Sequence, residues 1–288
     1  MPLPHTSSPS PSRHAHVEEG KVRIAPIIRL PGLLVDMDVD PAPLMAEVGL
    51  DPAIFEDPEN CVGFADAGRL LALCAERTDC PHFGVLLGRN LGLDVLGAVG
   101  ELAGSSPDLG SALRNIILYL HLHDRGAIPF LSASNDCAML SYVVYQPDIP
   151  GTAVIYDLTM AISCNILRTL AGPNWKATQV RLCRPPPADT EPYREFFQAP
   201  VHFRTEHSEL VFATSGLDFP LGGANALVHQ RIIGEIEALE ARGAGNLATQ
   251  IRRVLHRLLI GGACQADTCL GQIASMFEIH QRTMNRRL

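Results

Sequence analysis

Apolar and polar positions between residues 26 and 220 follow two different periods along the chain. A repeat of three to four residues predicts helices at 42–48, 65–77, 81–89, 94–103 and 152–170. Shorter segments of extended character predict strands at 127–132, 137–145, 178–183, 201–204 and 209–212. Helices mixed with a few antiparallel strands indicate an α+β domain over residues 26–220.

Turn residues separate these predicted elements. Ser134-Asn135-Asp136 lies between the first two strands and indicates a β-hairpin. Ser106-Pro107-Asp108 predicts a helix in which Ser106 is the N-cap and Pro107 takes the first helical position. The apolar positions of that helix are spaced for one buried face: Leu109, Leu113, Ile116, Ile117 and Leu120.

The pattern changes after residue 220, where only helical periods remain. Leu221-Gly222-Gly223 predicts a hinge, and the spacing that follows predicts a linker helix at 225–242. The N-terminal segment is rich in Pro, Ser and His and lacks the apolar core of a secretory signal. The predicted organisation is therefore a disordered leader (1–25), the α+β domain (26–220), the hinge and linker helix (221–242) and an all-α segment (243–288).

Charge is distributed unevenly between these parts. The net charge is −8, but residues 242–288 contain seven arginines and two acidic residues, a net of +5. The remainder then carries −13, so a basic module is attached to an acidic one. A basic C-terminal module favours nucleic-acid binding, because cationic side chains neutralise phosphates.

The last twenty residues have the spacing of a helix-turn-helix. In the first predicted helix, 268–277, the small Ala274 lies where two helices would cross closely. The second, 281–288, turns Met284 and Leu288 inward and leaves three side chains outside: Arg282, Asn285 and Arg286. Arginine can bridge O6 and N7 of guanine, and asparagine can bridge N6 and N7 of adenine, so this face suits the DNA major groove.

Residues 270–288 resemble the first helix-turn-helix of AraC/XylS-type transcription regulators, above all in the string Arg282-Thr-Met-Asn-Arg-Arg-Leu288. The resemblance implies that Arg282, Asn285 and Arg286 face DNA bases, and Gln281 at the start of the same helix joins this DNA-binding set. Glu278 departs from the family, which usually has glycine in the turn. A non-glycine residue adopts positive φ there at some cost, so the motif survives.

Two features of the surrounding sequence extend this assignment. Arg252 and Arg253 lie one predicted helix earlier and are candidates for phosphate contacts. DNA-binding domains of this family contain a second helix-turn-helix after a linking helix. We therefore expect the natural protein to be longer, with the present sequence ending inside the first motif and its DNA-binding segment incomplete.

Several upstream segments resemble one subgroup of these regulators, whose sensor is described as an arabinose-binding-like domain. The matching segments begin at Phe64-Ala-Asp, His82-Phe-Gly, Leu96-Gly-Ala, Gly172-Pro-Asn and Pro200-Val-His. The resemblance implies that the N-terminal domain senses a small molecule, although the subgroup's label does not make arabinose the effector. The expected function is a ligand-responsive, DNA-binding transcription regulator of the bacterial cytoplasm.

Other classes of function have less support in the sequence. Ser105-Ser106 lacks the Gly-x-Ser-x-Gly elbow, and neither a P-loop nor a dinucleotide fingerprint occurs. The eight cysteines include no Cys-x-x-Cys pair, so we expect reduced, mostly buried thiols and neither metal nor cofactor. We expect no enzyme and no membrane segment. An enzyme or a ligand-free dimerisation module in 26–220 stays as the alternative.

The partners expected are operator DNA and an unknown small-molecule effector, with RNA polymerase and a second copy of the chain left open. Ligand-binding residues are not assigned, although we expect a mostly apolar cavity within 26–220. The default for the tyrosines is core packing, and Tyr142 and Tyr145 lie on opposite faces of one strand, so they cannot both line it. We expect a loop anchor in Trp175 and a helix-terminus role, rather than metal binding, for His121-Leu122-His123-Asp124. Surface salt bridges are expected for three arginines: Arg114, Arg125 and Arg168.

Overall fold

The structure, a computed structural model, describes residues 17–134 and 136–242, and the side chains of these residues up to 238. The predicted helix-turn-helix therefore lies outside the described residues. The same holds for all the DNA-contact candidates: Arg252, Arg253, Gln281, Arg282, Asn285 and Arg286.

Two sheets organise the described strands. A short antiparallel pair joins β1 (Lys21–Arg23) to β2 (Cys61–Gly63). The larger sheet has five strands in the order β3-β4-β7-β5-β6, in which only β5 and β6 run parallel. Its strands are β3 (Ala127–Ala133), β4 (Cys137–Val144), β5 (Gln179–Leu182), β6 (Val201–Phe203) and β7 (Ser208–Ala213). The predicted hairpin is confirmed as β3 and β4, paired from Ala127 with Val144 to Ala133 with Ala138.

Helices pack around these sheets. They are α1 (Leu30–Asp36), α2 (Pro41–Glu47), α3 (Phe64–Arg77), α4 (Phe83–Gly88), α5 (Gly97–Gly104), α6 (Leu109–Tyr119), α7 (Thr152–Ala171), α8 (Glu191–Phe197) and α9 (Ala226–Arg242). Short 3-10 helices lie at Ala25–Ile27, Pro52–Glu56, Leu93–Leu96, Leu120–Leu122 and Thr214–Asp218. Helices and mixed sheets confirm the α+β class for the N-terminal part of the chain.

Helix α7 forms the centre of the helical layer. It is long and apolar enough to cross a membrane by length and composition, but 61% of its most apolar window is buried within this fold. Helix α4 crosses it closely because Gly84 and Gly88 have no side chains there. A Cβ on Gly88 would lie 2.8 Å from the Cβ of Ala161, and one on Gly84 would clash with the Val154 carbonyl oxygen. The glycines in the segment after His82 thus serve helix packing.

Helix α8 is joined to α7 by a buried hydrogen bond between Tyr193 and Asp157. The carboxylate of Asp157 is fully buried and accepts hydrogen bonds from Arg184 and, at 2.7 Å, from the phenol of Tyr193. Burial raises the pKa of Asp157 to about 6, and the charge of Arg184 opposes this shift. Sequence periodicity did not predict α8, β1 or β2, because elements of three to seven residues give no clear period.

The predicted start of α6 is wrong. Its N-cap is Asp108, whose side chain accepts a hydrogen bond from the Ser111 amide at 2.7 Å, and Pro107 precedes the helix. Ser106 instead donates to the carbonyl of Leu102 at 3.0 Å and closes the preceding helix. Asp108 has the extended backbone angles usual for an N-cap residue. It also forms an isolated β-bridge with Pro220, a contact that no local pattern could indicate.

The predicted helix 94–103 is divided in two. A 3-10 helix ends at Leu96, and α5 begins at Gly97, where the backbone takes a φ of +51°. Glycine adopts this left-handed conformation without the steric cost that a side chain would impose. The six described cysteines are free thiols, as expected, although Cys183 is exposed.

Candidate functional site

A cavity of about 120 Å³ lies between the helical layer and the β3-β4 hairpin. Helix α7 supplies one wall through side chains that recur at helical spacing: Ile155, Leu158, Thr159, Ile162, Ser163 and Ile166. Most other wall residues are apolar: Val22, Pro26, Ile27, Phe64, Ala67, Leu71, Val95, Leu96, Leu113, Ile116, Leu120, Pro129 and Leu140. Polar groups enter the remaining wall through Arg23, His123, Asp124, Ser141 and Tyr142. The mostly apolar cavity expected within 26–220 is thus present, although Val22 and Arg23, which precede this range, also line it. Its lining fits a small, mostly apolar molecule.

The polar end of the cavity is built around Asp124. The phenol of Tyr142 donates to its Oδ2, and the amide of Gly126 donates to its Oδ1 at 2.8 Å. Thr159 also lines this part of the cavity, and its side chain opposes the rise in the pKa of Tyr142. Burial raises the pKa of Asp124 to about 6, against the opposing effect of its hydrogen-bond donors. Burial likewise raises the pKa of Tyr142, so its hydroxyl remains a donor near neutral pH.

The positive charge in the cavity wall is already paired. The side chain of Arg23 is 3% exposed, and its Nη1 lies 2.5 Å from a carboxylate oxygen of Glu59. Its Nε donates to the carbonyl of Leu122 at 2.9 Å, and Nη1 also donates to the Glu59 carbonyl at 3.2 Å. These bonds hold the guanidinium between Glu59, which just precedes β2, and the 3-10 helix that contains Leu122.

Of the two histidines near the cavity, His121 lies at a helix end and His123 lines the cavity. His121 lies in the last turn of the 3-10 helix after α6, where its Nδ1 hydrogen-bonds the Leu118 carbonyl at 3.0 Å. This is the helix-terminus role predicted for the segment. His123 instead lines the cavity beside Asp124. Within 17–134 and 136–242, no three His, Cys, Asp or Glu side chains are placed to hold a metal ion.

Tyr142 and Tyr145 lie on opposite sides of the sheet, as the strand pattern predicted. Tyr142 is buried and faces the cavity. The core packing expected for Tyr145 is wrong, because it is 42% exposed and hydrogen-bonds the Arg125 carbonyl and Glu19. Tyr156 packs edge-on against Tyr142 with 6.5 Å between ring centres. Trp175 packs edge-on against Phe212 at 5.8 Å, which confirms its prediction as a loop anchor.

Two of the three arginine predictions are confirmed. Arg125 pairs with Glu19 at 2.8 Å, and Arg114 lies 3.7 Å from Asp108. The salt bridge expected for Arg168 is wrong. Its guanidinium donates to the carbonyl of Phe196 at 2.8 Å and to that of Phe197 at 3.1 Å, because α8 ends beside it with unsatisfied carbonyl groups.

The linker helix α9 begins against the domain that holds the cavity. The amide of Leu221 donates to the Pro107 carbonyl at 3.1 Å, and that of Asn225 donates to the Ser105 carbonyl at 3.1 Å. A hydrogen bond of 3.2 Å joins the Ser105 hydroxyl to His229 in the first turns of α9. Further along, Ile232 and Ile236 are fully buried. The hinge predicted at 221–223 stays a prediction, but its neighbours are bonded to the segment that connects α5 with α6.

Sequence reasoning did not assign the cavity residues. Asp124, Tyr142 and Thr159 come from three separate elements and meet only through the tertiary fold. One signal was nevertheless available. Thr159 and Ser163 place two hydroxyls four residues apart on one otherwise apolar face of the helix.

The described residues thus form an α+β domain with an apolar cavity, bonded to the start of helix α9. The family described as the arabinose-binding domain of AraC transcription regulators, N-terminal, matches residues 39–221. The chain therefore belongs to the AraC-type transcription regulators that carry this N-terminal domain.

Individual relatives agree with this family. The HTH-type transcriptional regulator VirS of Mycobacterium tuberculosis is 26% identical over 258 residues, which cover 89% of this chain and 75% of VirS. The ornithine utilization regulator of Pseudomonas aeruginosa is 26% identical over 229 residues, which cover 77% of this chain and 66% of that protein. The crystal structure of the transcriptional regulator CdpR from Pseudomonas aeruginosa shares the fold, with a TM-score of 0.56 and 18% identity over 92% of this chain and 78% of CdpR.

Proposed function

We propose that this protein is a ligand-responsive transcription regulator whose effector binds in the cavity and changes how the C-terminal segment meets operator DNA. The observation that carries the proposal is that the cavity and the linker helix share supporting elements. Helix α6 lines the cavity with Leu113 and Ile116, while its N-cap Asp108 bridges to Pro220 just before the linker.

The neighbouring α5 segment makes a second connection of the same kind. The 3-10 helix that leads into α5 lines the cavity with Val95 and Leu96. The residue after α5, Ser105, bonds both Asn225 and His229 at the start of α9. A ligand that shifts these elements would therefore change the support of the linker helix.

Regulation then follows from differential binding. An effector shifts an equilibrium between two arrangements only as far as it binds one of them more tightly. In the arrangement with higher DNA affinity, the second helix of the predicted motif enters the major groove with Gln281, Arg282, Asn285 and Arg286. Arg252 and Arg253 contact phosphates. Such a regulator acts in the cytoplasm and is not an enzyme; RNA polymerase contact and homodimer formation stay open.

The experiment measures binding of the full-length protein to operator DNA, selected from a random pool, with and without compounds that raise its melting temperature. A ligand that binds only the folded state stabilises the protein, so thermal shift identifies candidates. We expect at least one stabilising compound to change DNA affinity by about 5- to 150-fold, the usual range of allosteric coupling. Saturable binding that leaves DNA affinity unchanged, or steady conversion of the compound to a product, would refute the proposal.

A further inference from the structure

We propose that the cavity selects an uncharged molecule about the size of a single six-membered ring, with one hydroxyl-type group directed at Tyr142, Thr159 and Ser163, and that it discriminates against carboxylates. The inference rests on the proposed function in that it describes the effector of the same site. It concerns only which chemistry the cavity accepts.

The size of the ligand follows from the volume of the cavity. A cavity of about 120 Å³ is close to the roughly 150 Å³ at which an engineered apolar cavity accepts benzene. Sugars and amino acids with several polar groups would leave many of those groups without partners in this lining. A buried polar group left without a hydrogen-bond partner is costly, so a molecule with one polar end is favoured.

The position of the polar end follows from the hydroxyl groups. Thr159 and Ser163 lie one turn apart on the cavity face of α7, and Tyr142 enters the cavity from β4. Ser163 is partly buried and makes no side-chain hydrogen bond to any residue that the structure describes. A hydroxyl both donates and accepts, so these side chains can satisfy a ligand group of the same kind.

The charge preference follows from the ionisable groups in the wall, which are Arg23, His123 and Asp124. Arg23 is bonded to Glu59 and to two carbonyl groups, so its charge is already compensated within the protein. Asp124 presents a buried carboxylate, and like charges placed together in a low-dielectric site repel strongly. A carboxylate ligand would meet this repulsion as well as the cost of its own desolvation.

A cationic ligand is also disfavoured. Both oxygens of Asp124 already accept hydrogen bonds, one from Tyr142 and one from the Gly126 amide. An ammonium group would lose its hydration and meet a carboxylate whose bonding is largely met within the protein. A neutral molecule with a single hydroxyl meets no charge repulsion and brings no charged group that must lose its hydration.

The experiment titrates the full-length protein with four compounds that share one ring: benzyl alcohol, toluene, benzoate and benzylamine. Isothermal titration calorimetry gives their affinities. We expect benzyl alcohol to bind about threefold to tenfold more tightly than toluene, as one added hydrogen bond implies, and benzoate to bind at least tenfold more weakly than benzyl alcohol. Tighter binding of benzoate or benzylamine than of benzyl alcohol would overturn the charge assignment.

Variants locate the binding in the cavity. Thr159→Val and Ser163→Ala remove one hydroxyl each, and we expect the preference for benzyl alcohol over toluene to fall toward equality. Thr169→Val changes an exposed residue of the same helix that does not line the cavity, and it should leave the preference intact. Ala67→Leu, if its circular dichroism is native, should abolish binding of all ring compounds by filling the space. An unchanged preference in both hydroxyl variants would overturn the proposed orientation.

These binding measurements test the chemistry of the ligand independently of the proposed regulatory function. If benzyl alcohol binds in the cavity but DNA affinity does not respond to any ligand, the chemical assignment stands and the regulatory proposal fails. If a carboxylate binds there and changes DNA affinity, the regulatory proposal stands and the chemical assignment fails.

Discussion

The phenol of Tyr142 donates a hydrogen bond to the buried carboxylate of Asp124, and this bond closes one end of the cavity. Tyr142 lies in β4, whereas Asp124 precedes β3 and forms a backbone bridge with Val22 of β1. The single contact therefore connects the hairpin of the large sheet with the small sheet. It also makes this end of the cavity the polar one. Both oxygens of the Asp124 carboxylate already accept hydrogen bonds from the protein.

Tyr142→Phe is expected to destabilise the protein by about 1–3 kcal/mol, because the change leaves a buried carboxylate without one of its donors. Tyr156→Phe is the matched control, since Tyr156 packs against Tyr142 without lining the cavity. Urea unfolding followed by circular dichroism gives both values. Equal costs for the two variants would contradict a special role for the Tyr142 hydroxyl.

Asp124 is expected to make stability depend on pH in a defined direction. Its pKa in the folded protein is about 6, above the ordinary value of 3.8, so the folded chain retains a proton that the unfolded chain has lost. The corresponding contribution is fully present below about pH 3.8 and is lost as the pH rises through about 6. The free energy of unfolding should therefore fall over this window by more in the wild type than in Asp124→Asn. Asp157, whose pKa is also raised to about 6, is present in both proteins and contributes equally to both pH profiles. Parallel profiles of the wild type and Asp124→Asn would therefore rule out the proposed titration of Asp124.

The close crossing of α4 and α7 leads to a packing prediction. Gly84→Ala places a Cβ against the Val154 carbonyl and 2.9 Å from the Leu158 amide nitrogen, both backbone atoms that cannot rotate away. We expect a loss of about 1–3 kcal/mol or more from overpacking. Gly32→Ala in α1 has no heavy atom within 4 Å of the new Cβ and should stabilise by up to about 1 kcal/mol through helix propensity. Thermal unfolding of the pair tests both signs.

The sequence predicted long elements well and short or non-local features poorly. Helix α7 and the β3-β4 hairpin were predicted nearly to their ends, since twenty residues of helical period and a turn between alternating runs are strong local signals. The start of α6 was missed because Ser106 and Asp108 are both residue types that cap helices, and only the fold shows that Ser106 bonds the Leu102 carbonyl instead. The break at Gly97 was missed because glycine within an apolar run is compatible with an uninterrupted helix.

The candidate site likewise has a part that the sequence predicts and a part that depends on the tertiary fold. An apolar cavity was predictable in outline from a sensor-sized domain without catalytic motifs. Its polar end was not, because Asp124 resembled a helix-terminus residue and Tyr142 a core residue in the sequence alone. Only the fold brings them together with Thr159.

The contact between Ser105 and His229 is expected to carry the response to the effector. His229→Ala removes the hydrogen bond of 3.2 Å to Ser105 but lies outside the wall of the effector cavity. We expect unchanged effector affinity for the protein without DNA and an effector-induced change in DNA affinity that is smaller by about twofold to tenfold. Gln230→Ala, at the next and exposed position, should keep the full response. Fluorescence anisotropy on labelled operator measures the change, and an intact response in His229→Ala would show that coupling runs through other contacts.

The DNA-binding set yields a prediction that separates base reading from phosphate contact. Arg282, Asn285 and Arg286 recur at i, i+3 and i+4 on the outer face of the predicted second helix. Arg282→Ala or Arg286→Ala in the full-length protein should each cost about 1–3 kcal/mol on the preferred operator and relax its sequence preference, because a bidentate contact to guanine is lost.

Arg252→Ala and Arg253→Ala should act differently, because a phosphate contact carries no sequence information. We expect these variants to weaken binding to operator and scrambled DNA alike, and to reduce the slope of log affinity against log salt concentration by about one. Salt titrations on both DNAs distinguish the two patterns in one set of measurements. Specific binding that is unchanged in both Arg282→Ala and Arg286→Ala would show that this face does not read the operator. A loss of specificity in the Arg252 or Arg253 variants would show that the preceding predicted helix contacts the bases.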